Sequence, residues 1–413
     1  MRAQRCKGTK DLSPEEMKGF RLIETVFSDS CRRWGYDEVR TPTLEYLHLF
    51  TATGTLTPSR LNKVYSFLDW DGWSGERVVL RPDGTIPIAR LYIDTMAGKK
   101  PAKLFYVTNV FSFEETGKET RERWQCGAEL IGAGSSVADA ELVIVALEIL
   151  RKLKLEDIEL RLSHSGLIKA LLEKLRLSPG EQHRVFDQIL DGNAEVLAEA
   201  GTRNPELGRI LKPLIDLKGK SSGFLRNLRA LCQGDLAELK PAFDNFIDVV
   251  DTLEAIGVRF QIDMAAGRGF EYYTGLIFQL FAGGQHIGGG GRYDALIPLM
   301  GGKDIPASGF ALYLDHLMNQ IKPDTLASPP GPVILIKART RPAGILPEAF
   351  RLADRLHEAG YTAEVYLGGQ EPANLRWKIE LPGKAPQFIL TDKVNDKKFE
   401  LKTVWEILAL LKG

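Results

Sequence analysis

The sequence predicts an α+β protein. A β-rich portion spanning 1–325 is interrupted by a helical insertion at about 163–257, and a small α/β domain follows at 330–413. Three observations predict this. The runs "AKLFYVTNVFSFEE" and "RWQCGAELIGAG" flank a polar loop at 116–122 and read as two strands of a hairpin. From Ser163 to Gly257 the apolar residues recur with a period near 3.6, the mark of amphipathic helices. Beyond "KPDTLASPPGP" (322–332), a linker rich in proline and polar residues, strand-like and helix-like runs alternate.

The elements follow in order. Ser13 can cap a first helix, with Pro14 at its first position and Glu16 completing a capping box. Phe20, Ile23, Val26, Phe27, Cys31 and Trp34 then fall at helical spacing, and Gly35 can end the helix. "DEVRTPTLEYLHLF" predicts a short strand that Pro42 breaks before a second element. "ERVVLRPDGTIPIARLYIDTM" reads as strand, loop and helix, and "ADAELVIVALEILRKL" as a long apolar helix after the hairpin. The β pattern resumes with "RFQIDMAAGRGFEYYTGLIFQLFA", a glycine cluster and "ASGFALYLDHLMNQI". The last domain is read as "VILIK", a helix "LPEAFRLADRLHEAG", then "TAEVYL", "QFILTD", "FELKT" and "VWEILALLK".

Composition narrows the function classes. The chain has 413 residues, enough for a large core, with Lys plus Arg and Asp plus Glu both 54. A formal charge of zero argues against a strong nucleic-acid or anionic-membrane field. Cys6, Cys31, Cys126 and Cys232 lie far apart and form no CxxC pair, which argues against a disulfide framework and fits a reducing cytoplasm. No run approaches transmembrane length, and "MRAQRCKGTKDLSPEE" carries no apolar leader core, so a cytoplasmic protein without a membrane partner is expected. The six histidines show no paired spacing, so no metal site is expected, and no stretch calls for a cofactor.

Three stretches could carry chemistry. "LRPDGTIPIAR" sets Arg81, Asp83, Thr85 and Arg90 around a turn, where an acid and a hydroxyl could receive an ammonium; spacing alone favours a plain Asp-Gly turn beside a solvated arginine. "AGRGFEYYTGLIFQ" puts Arg268, Glu271, Tyr272, Tyr273 and Thr274 together, either lining a small polar pocket or forming the amphipathic rim of a sheet. "AGGQHIGGGGRYDALIPLMGG" holds the glycines 288–291, which either let backbone approach a ligand or form a flexible hairpin turn.

Taken in order, these stretches resemble the histidyl-tRNA synthetase family, of class II synthetase fold, over roughly residues 6–320. "RRWGYDEVRTPTLE" is similar to motif 1, which builds the family's dimer, and "LRPDGT" to its LRPEGT. "RWQCGAELIG" is similar to the end of motif 2, "RGFEYYTG" to the histidine-binding segment, and "ASGFALYLDHL" to motif 3. The resemblance implies an antiparallel sheet flanked by helices, ending in a trimmed anticodon-binding domain. It also implies a histidine pocket of Asp83, Thr85, Gln125, Glu129, Arg268, Tyr272 and Tyr273.

The nucleotide half departs from the family. Motif 2 normally reads F-R-x-E, its arginine on the α-phosphate, and here Ser112 stands at that arginine. Motif 3 normally ends G-x-[ED]-R; here Tyr313 replaces the glycine and His316 the phosphate-binding arginine. Adenylate formation needs positioned cations, and losing one such donor costs about 10²- to 10³-fold in rate. Arg121 remains as a possible residual phosphate contact. The loop "GKETRER" has mixed charge, which argues against tRNA.

A kept amino-acid pocket without phosphate cations resembles the synthetase-like regulatory subunits of ATP phosphoribosyltransferase. That branch implies no catalysis by the chain alone, a short-form catalytic subunit as partner, L-histidine as effector, and a homodimer within a hetero-oligomer. The alternatives are a histidine–tRNA ligase and a paralogue binding another small molecule or RNA.

Overall fold

The computed structural model describes residues 3–54, 56, 61–70, 75–98, 101–113, 121–174, 218–231, 239–263, 273–322, 333–338, 345–372 and 374–412. The helices read between 175 and 217 lie outside these residues. The chain divides into two compact units, Met1–Leu326 and Ala327–Gly413.

The first unit is built on the hairpin. β5 (Ala102–Phe111) and β6 (Glu122–Ile131) pair antiparallel, from Ala102 opposite Ile131 to Phe111 opposite Glu122. Beyond β6 the sheet continues antiparallel through β12 (Ala307–Tyr313), β11 (Gln285–Arg292), β10 (Leu276–Ala282) and β7 (Ile158–His164). β1 (Asp37–Glu38) adds parallel to β5 at one edge and β9 (Gln261–Asp263) parallel to β7 at the other, with β8 (Lys218–Gly219) outermost and antiparallel to β9. β8 is thus a strand inside the stretch read as almost purely helical, and Ser163 belongs to β7.

Side chains alternate across each strand, so each face of β6 has its own duty. Cys126, Ala128 and Leu130 join the large apolar core with Phe20, Ile23 and Phe27 of α1 (Pro14–Arg33). α1 begins at the expected capping box, Ser13 N–H donating to Glu16 Oε2 at 2.8 Å and Glu16 N–H to Ser13 Oγ at 3.3 Å. Gln125, Gly127 and Glu129 face the other way.

After α1, the chain breaks at Pro42 into β2 (Leu44–Tyr46) and α2 (Leu47–Ala52). β2 joins β4 (Gly75–Leu80) and β3 (Ser66–Trp70) in a three-stranded sheet. β4 leads through a loop into α3 (Thr85–Leu91), which runs on as a wider turn, Tyr92–Met96. α4 (Ser136–Lys152) packs on the core face, and its Asp139 is held by Arg292 of β11 through two donors, at 3.1 and 2.6 Å. α5 (Ser165–Lys174) begins the insertion.

The glycines 288–291 do not form a hairpin turn. They lie within β11, and the turn is Gly283–Gly284, both at positive φ. A Cβ on Gly290 would collide with the Gly309 carbonyl, and one on Gly291 with that of Leu276. Glycine is required there because neighbouring backbones crowd the position.

The second unit is a five-stranded sheet. Its order is β14 (Ala363–Val365), β13 (Val333–Ala338), β15 (Leu375–Leu381), β16 (Phe388–Asp392) and β17 (Lys397–Leu401). The helices Ile345–Glu358 and Val404–Lys412 cover one face. Among the described residues no helix is long and apolar enough to cross a membrane.

Candidate functional site

The non-core face of the hairpin builds a pocket around one carboxylate. Glu129 is 1% exposed. Its Oε1 accepts from Thr85 Oγ1 at 2.8 Å and from the Tyr106 hydroxyl at 3.3 Å, and its Oε2 accepts a short bond from the Tyr293 hydroxyl. Gln125 Nε2 donates to the Tyr106 hydroxyl at 3.1 Å. All of Glu129's donors among the described residues are uncharged. Burial therefore dominates and pushes its pKa up to about 8, with nearby Asp83 adding to the rise.

Local sequence explains the convergence. Asp83 Oδ1 accepts from Ile86 N–H at 2.9 Å at the start of α3, which points Thr85 at the sheet. Desolvation pushes Asp83 up to about 6, against the Ile86 and Thr85 N–H donors. Tyr106 stands opposite Gly127 in the β5–β6 register, and only a glycine there leaves room for its ring. A side chain at Gly309 would overlap the Glu129 carboxylate. Tyr273 is buried against this region, and its carbonyl accepts from Lys169 Nζ of α5 at 2.8 Å.

Of the residues the sequence singled out, Asp83, Thr85, Gln125 and Glu129 come together here, and Tyr273 is buried in the same apolar cluster as Tyr293. Arg268 and Tyr272, with Glu271, lie outside the described residues. Two arginines have other work. Arg81 is no solvated arginine: it is 4% exposed and donates to the Asn109 and Pro42 carbonyls, while Arg90 forms a two-pronged pair with Glu45 at 2.9 and 2.8 Å.

Sequence reasoning missed two hydroxyls, Tyr106 and Tyr293. Tyr293 lay in a quoted segment but received no role. A signal for Tyr106 did exist, a glycine in mid-strand at 127 marking close approach by a large neighbour.

The positions expected to have lost nucleotide contacts are differently occupied. Tyr313 ends β12 directly opposite Gln125, so both side chains share the pocket face. Its ring meets His286 edge-on at 5.4 Å and His316 at 5.5 Å. His316 Nδ1 bonds the His286 carbonyl at 2.7 Å. The Arg121 guanidinium lies over the Phe113 ring, 4.8 Å from its centroid, and Ser112 N–H donates to the Arg121 carbonyl at 3.0 Å.

An antiparallel sheet between helices, carrying this pocket beside β6 and β12, defines a class II synthetase-like protein. Residues 8–317 match the family model of histidyl-tRNA synthetase. The chain is 51% identical over 409 residues to an ATP phosphoribosyltransferase regulatory subunit of Dehalococcoides mccartyi, covering 99% of this chain and 98% of that one. It is 31% identical over 382 residues to the histidine–tRNA ligase of Methanocaldococcus jannaschii, covering 89% and 87%. A solved Bacillus halodurans structure, described as an ATP phosphoribosyltransferase regulatory subunit/histidyl-tRNA synthetase, superposes with a TM-score of 0.76 at 25% identity, over 90% of this chain and 94% of that one. The chain belongs to the histidyl-tRNA synthetase-like family, in the branch of ATP phosphoribosyltransferase regulatory subunits.

Proposed function

We propose that the chain is a cytoplasmic, non-catalytic regulatory subunit that binds L-histidine in the Glu129 pocket and reports its occupancy to a short-form ATP phosphoribosyltransferase catalytic subunit, activating it and conferring feedback inhibition. The observation that carries this reading is the contrast between the two halves of the site. On one side, Asp83 and Glu129 form a buried acidic pocket whose donors are neutral hydroxyls and amides, suited to a ligand bearing positive charge. On the other, Ser112 supplies no cation, and Tyr313 and His316 pack into an aromatic cluster with His286.

In this reading Asp83 and Thr85 receive the histidine ammonium, Gln125 and Glu129 lie beside them, and Arg268, Tyr272 and Tyr273 complete the pocket. Histidine binding that favours one quaternary state shifts the partner's activity by that difference in affinity. The chain works as a homodimer within the hetero-oligomer. On the three-stranded sheet Leu68 and Trp70, 55 and 69% exposed, share one face and offer an apolar surface for assembly.

Calorimetry with L-histidine tests the pocket, and ATP–pyrophosphate exchange tests the chemistry. Saturable histidine binding without histidine-dependent exchange is expected. Exchange well above background would instead establish the ligase reading, with Arg121 as the surviving cation.

A further inference from the structure

We infer that α5 reads the pocket for the rest of the first unit, and that Lys169 is the positioning residue that makes the link. The inference rests on the histidine reading and adds the route by which occupancy leaves the pocket. Tyr273 faces two ways. Its side chain is buried in one apolar cluster with Ile277 and Tyr293, over the bare Gly291, where a Cβ would come within 2.9 Å of the Tyr273 ring. Its hydroxyl is pushed well up, first by burial and then by neighbours that include Glu129 and Asp83, so the ring belongs to the pocket. Its backbone carbonyl, by contrast, accepts from Lys169 Nζ of α5 at 2.8 Å. That lysine is half-buried, and burial pushes its pKa below the ordinary value. A lysine drawn out of water in this way keeps the acceptors it has.

The neighbours of Tyr273 are gripped as well. Ser165, the first residue of α5, donates to the Gly275 carbonyl from its N–H at 2.9 Å and from its Oγ at 3.3 Å. Gly166 lies so close that a Cβ on it would stand 3.1 Å from the Thr274 carbonyl. Residues 273–275 therefore all lie against the first turns of α5. On their other side, Thr274 N–H donates to the Arg292 carbonyl at 2.7 Å, and Thr274 Oγ1 accepts from Asp294 N–H at 3.0 Å. Between Arg292 and Asp294 stands Tyr293, whose hydroxyl donates to Glu129. The segment is clamped between the pocket wall and α5.

α5 carries the restraint onward. Its Leu167 and Ile168 are buried in the large core with Leu225 and Leu228 of the helix Ser222–Leu231 and with Phe243 and Phe246 of the helix Lys240–Ala255. The His164 ring, just before α5, meets the Phe246 ring at 5.6 Å. A ligand that stills Tyr273 therefore also stills α5 and the helices packed on it, which couples them through restricted motion along a contiguous set of contacts.

The test is amide hydrogen exchange of the full chain with and without saturating L-histidine, read in β6, in α5 and in the helix Lys240–Ala255. In the wild type all three are expected to exchange more slowly with histidine. In Lys169→Met, β6 should still respond while α5 and Lys240–Ala255 no longer do. Coupling is reciprocal, so histidine affinity measured by calorimetry should fall about threefold to tenfold in this variant, the worth of one hydrogen bond. Lys169→Arg, which can still donate to the Tyr273 carbonyl, should recover both the exchange response and the affinity. Histidine that protects β6 but not α5 in the wild type overturns this inference and leaves the histidine reading standing, whereas no histidine binding to the wild type overturns both. An α5 response in Lys169→Met as large as in the wild type also overturns it. So does loss of the β6 and α5 responses together in both variants, which would make Lys169 part of the general scaffold.

Discussion

Glu129 concentrates the account at the residue scale. Three hydroxyls converge on it, yet none carries charge, so burial holds it protonated near neutrality. The pKa rises from 4.5 to about 8 on folding. The folded chain therefore keeps a proton that the unfolded chain releases. The stability this contributes is complete below about pH 4.5 and is lost as pH rises through about 8. Denaturant titrations at pH 6 and pH 8 should show the wild-type chain losing about 1–3 kcal/mol from this group, bounded by about 1.4 kcal/mol per pH unit. Glu129→Gln should remove that loss and abolish histidine binding; an unchanged pH slope in the variant would refute the assignment.

Asp83 gives the complementary prediction. It is held at about 6, so it is mostly ionised at pH 7 and mostly protonated at pH 5. Histidine affinity should fall about tenfold between those pH values as one counter-charge disappears, read by calorimetry. Affinity that stays flat to pH 5 would remove Asp83 from the ligand's cation.

At the element scale, α4 and β11 are joined by the Asp139–Arg292 pair, both residues 5% exposed or less. Breaking this pair from Asp139's side leaves Arg292, buried, with only the partly exposed Asp294 as a charged partner among the described residues, 3.1 Å away. Asp139→Ala should cost about 3–5 kcal/mol, and adding Arg292→Met should recover much of it. Equal losses in the single and double variants would show that the pair is not coupled.

Local signals made many elements legible. Ser13, Pro14 and Glu16 announced the start of α1, and alternation across a polar loop announced the β5–β6 hairpin. Where partners far apart in sequence decide, the signal failed. The glycines of β11 resembled a turn because their need for glycine comes from the flanking backbones of β10 and β12. β15 went unread because Arg376, Lys378 and Glu380 alternate with Trp377, Ile379 and Leu381, and the charges masked a half-buried strand.

At the scale of the molecule, the fold was legible through an ordered series of weak segments, each ambiguous alone. The candidate site was legible in part: Asp83, Thr85, Gln125 and Glu129 do converge. Tyr106 and Tyr293 were not, because their roles depend on strand register and on a sheet neighbour far along the chain. The second unit adds its own sheet and core, with Lys337, Lys378 and Lys393 gathered around Glu371 at 2.7, 4.0 and 4.0 Å.

The central claim is that this chain senses histidine for another subunit and no longer activates it. The most direct measurement is phosphoribosyltransferase activity of the short catalytic subunit co-purified with this chain, titrated with L-histidine. The account predicts activity that requires this chain and falls as histidine rises, with inhibition lost in Glu129→Gln while activation remains. Activity that is independent of this chain, or histidine inhibition that is unchanged in Glu129→Gln, would contradict it.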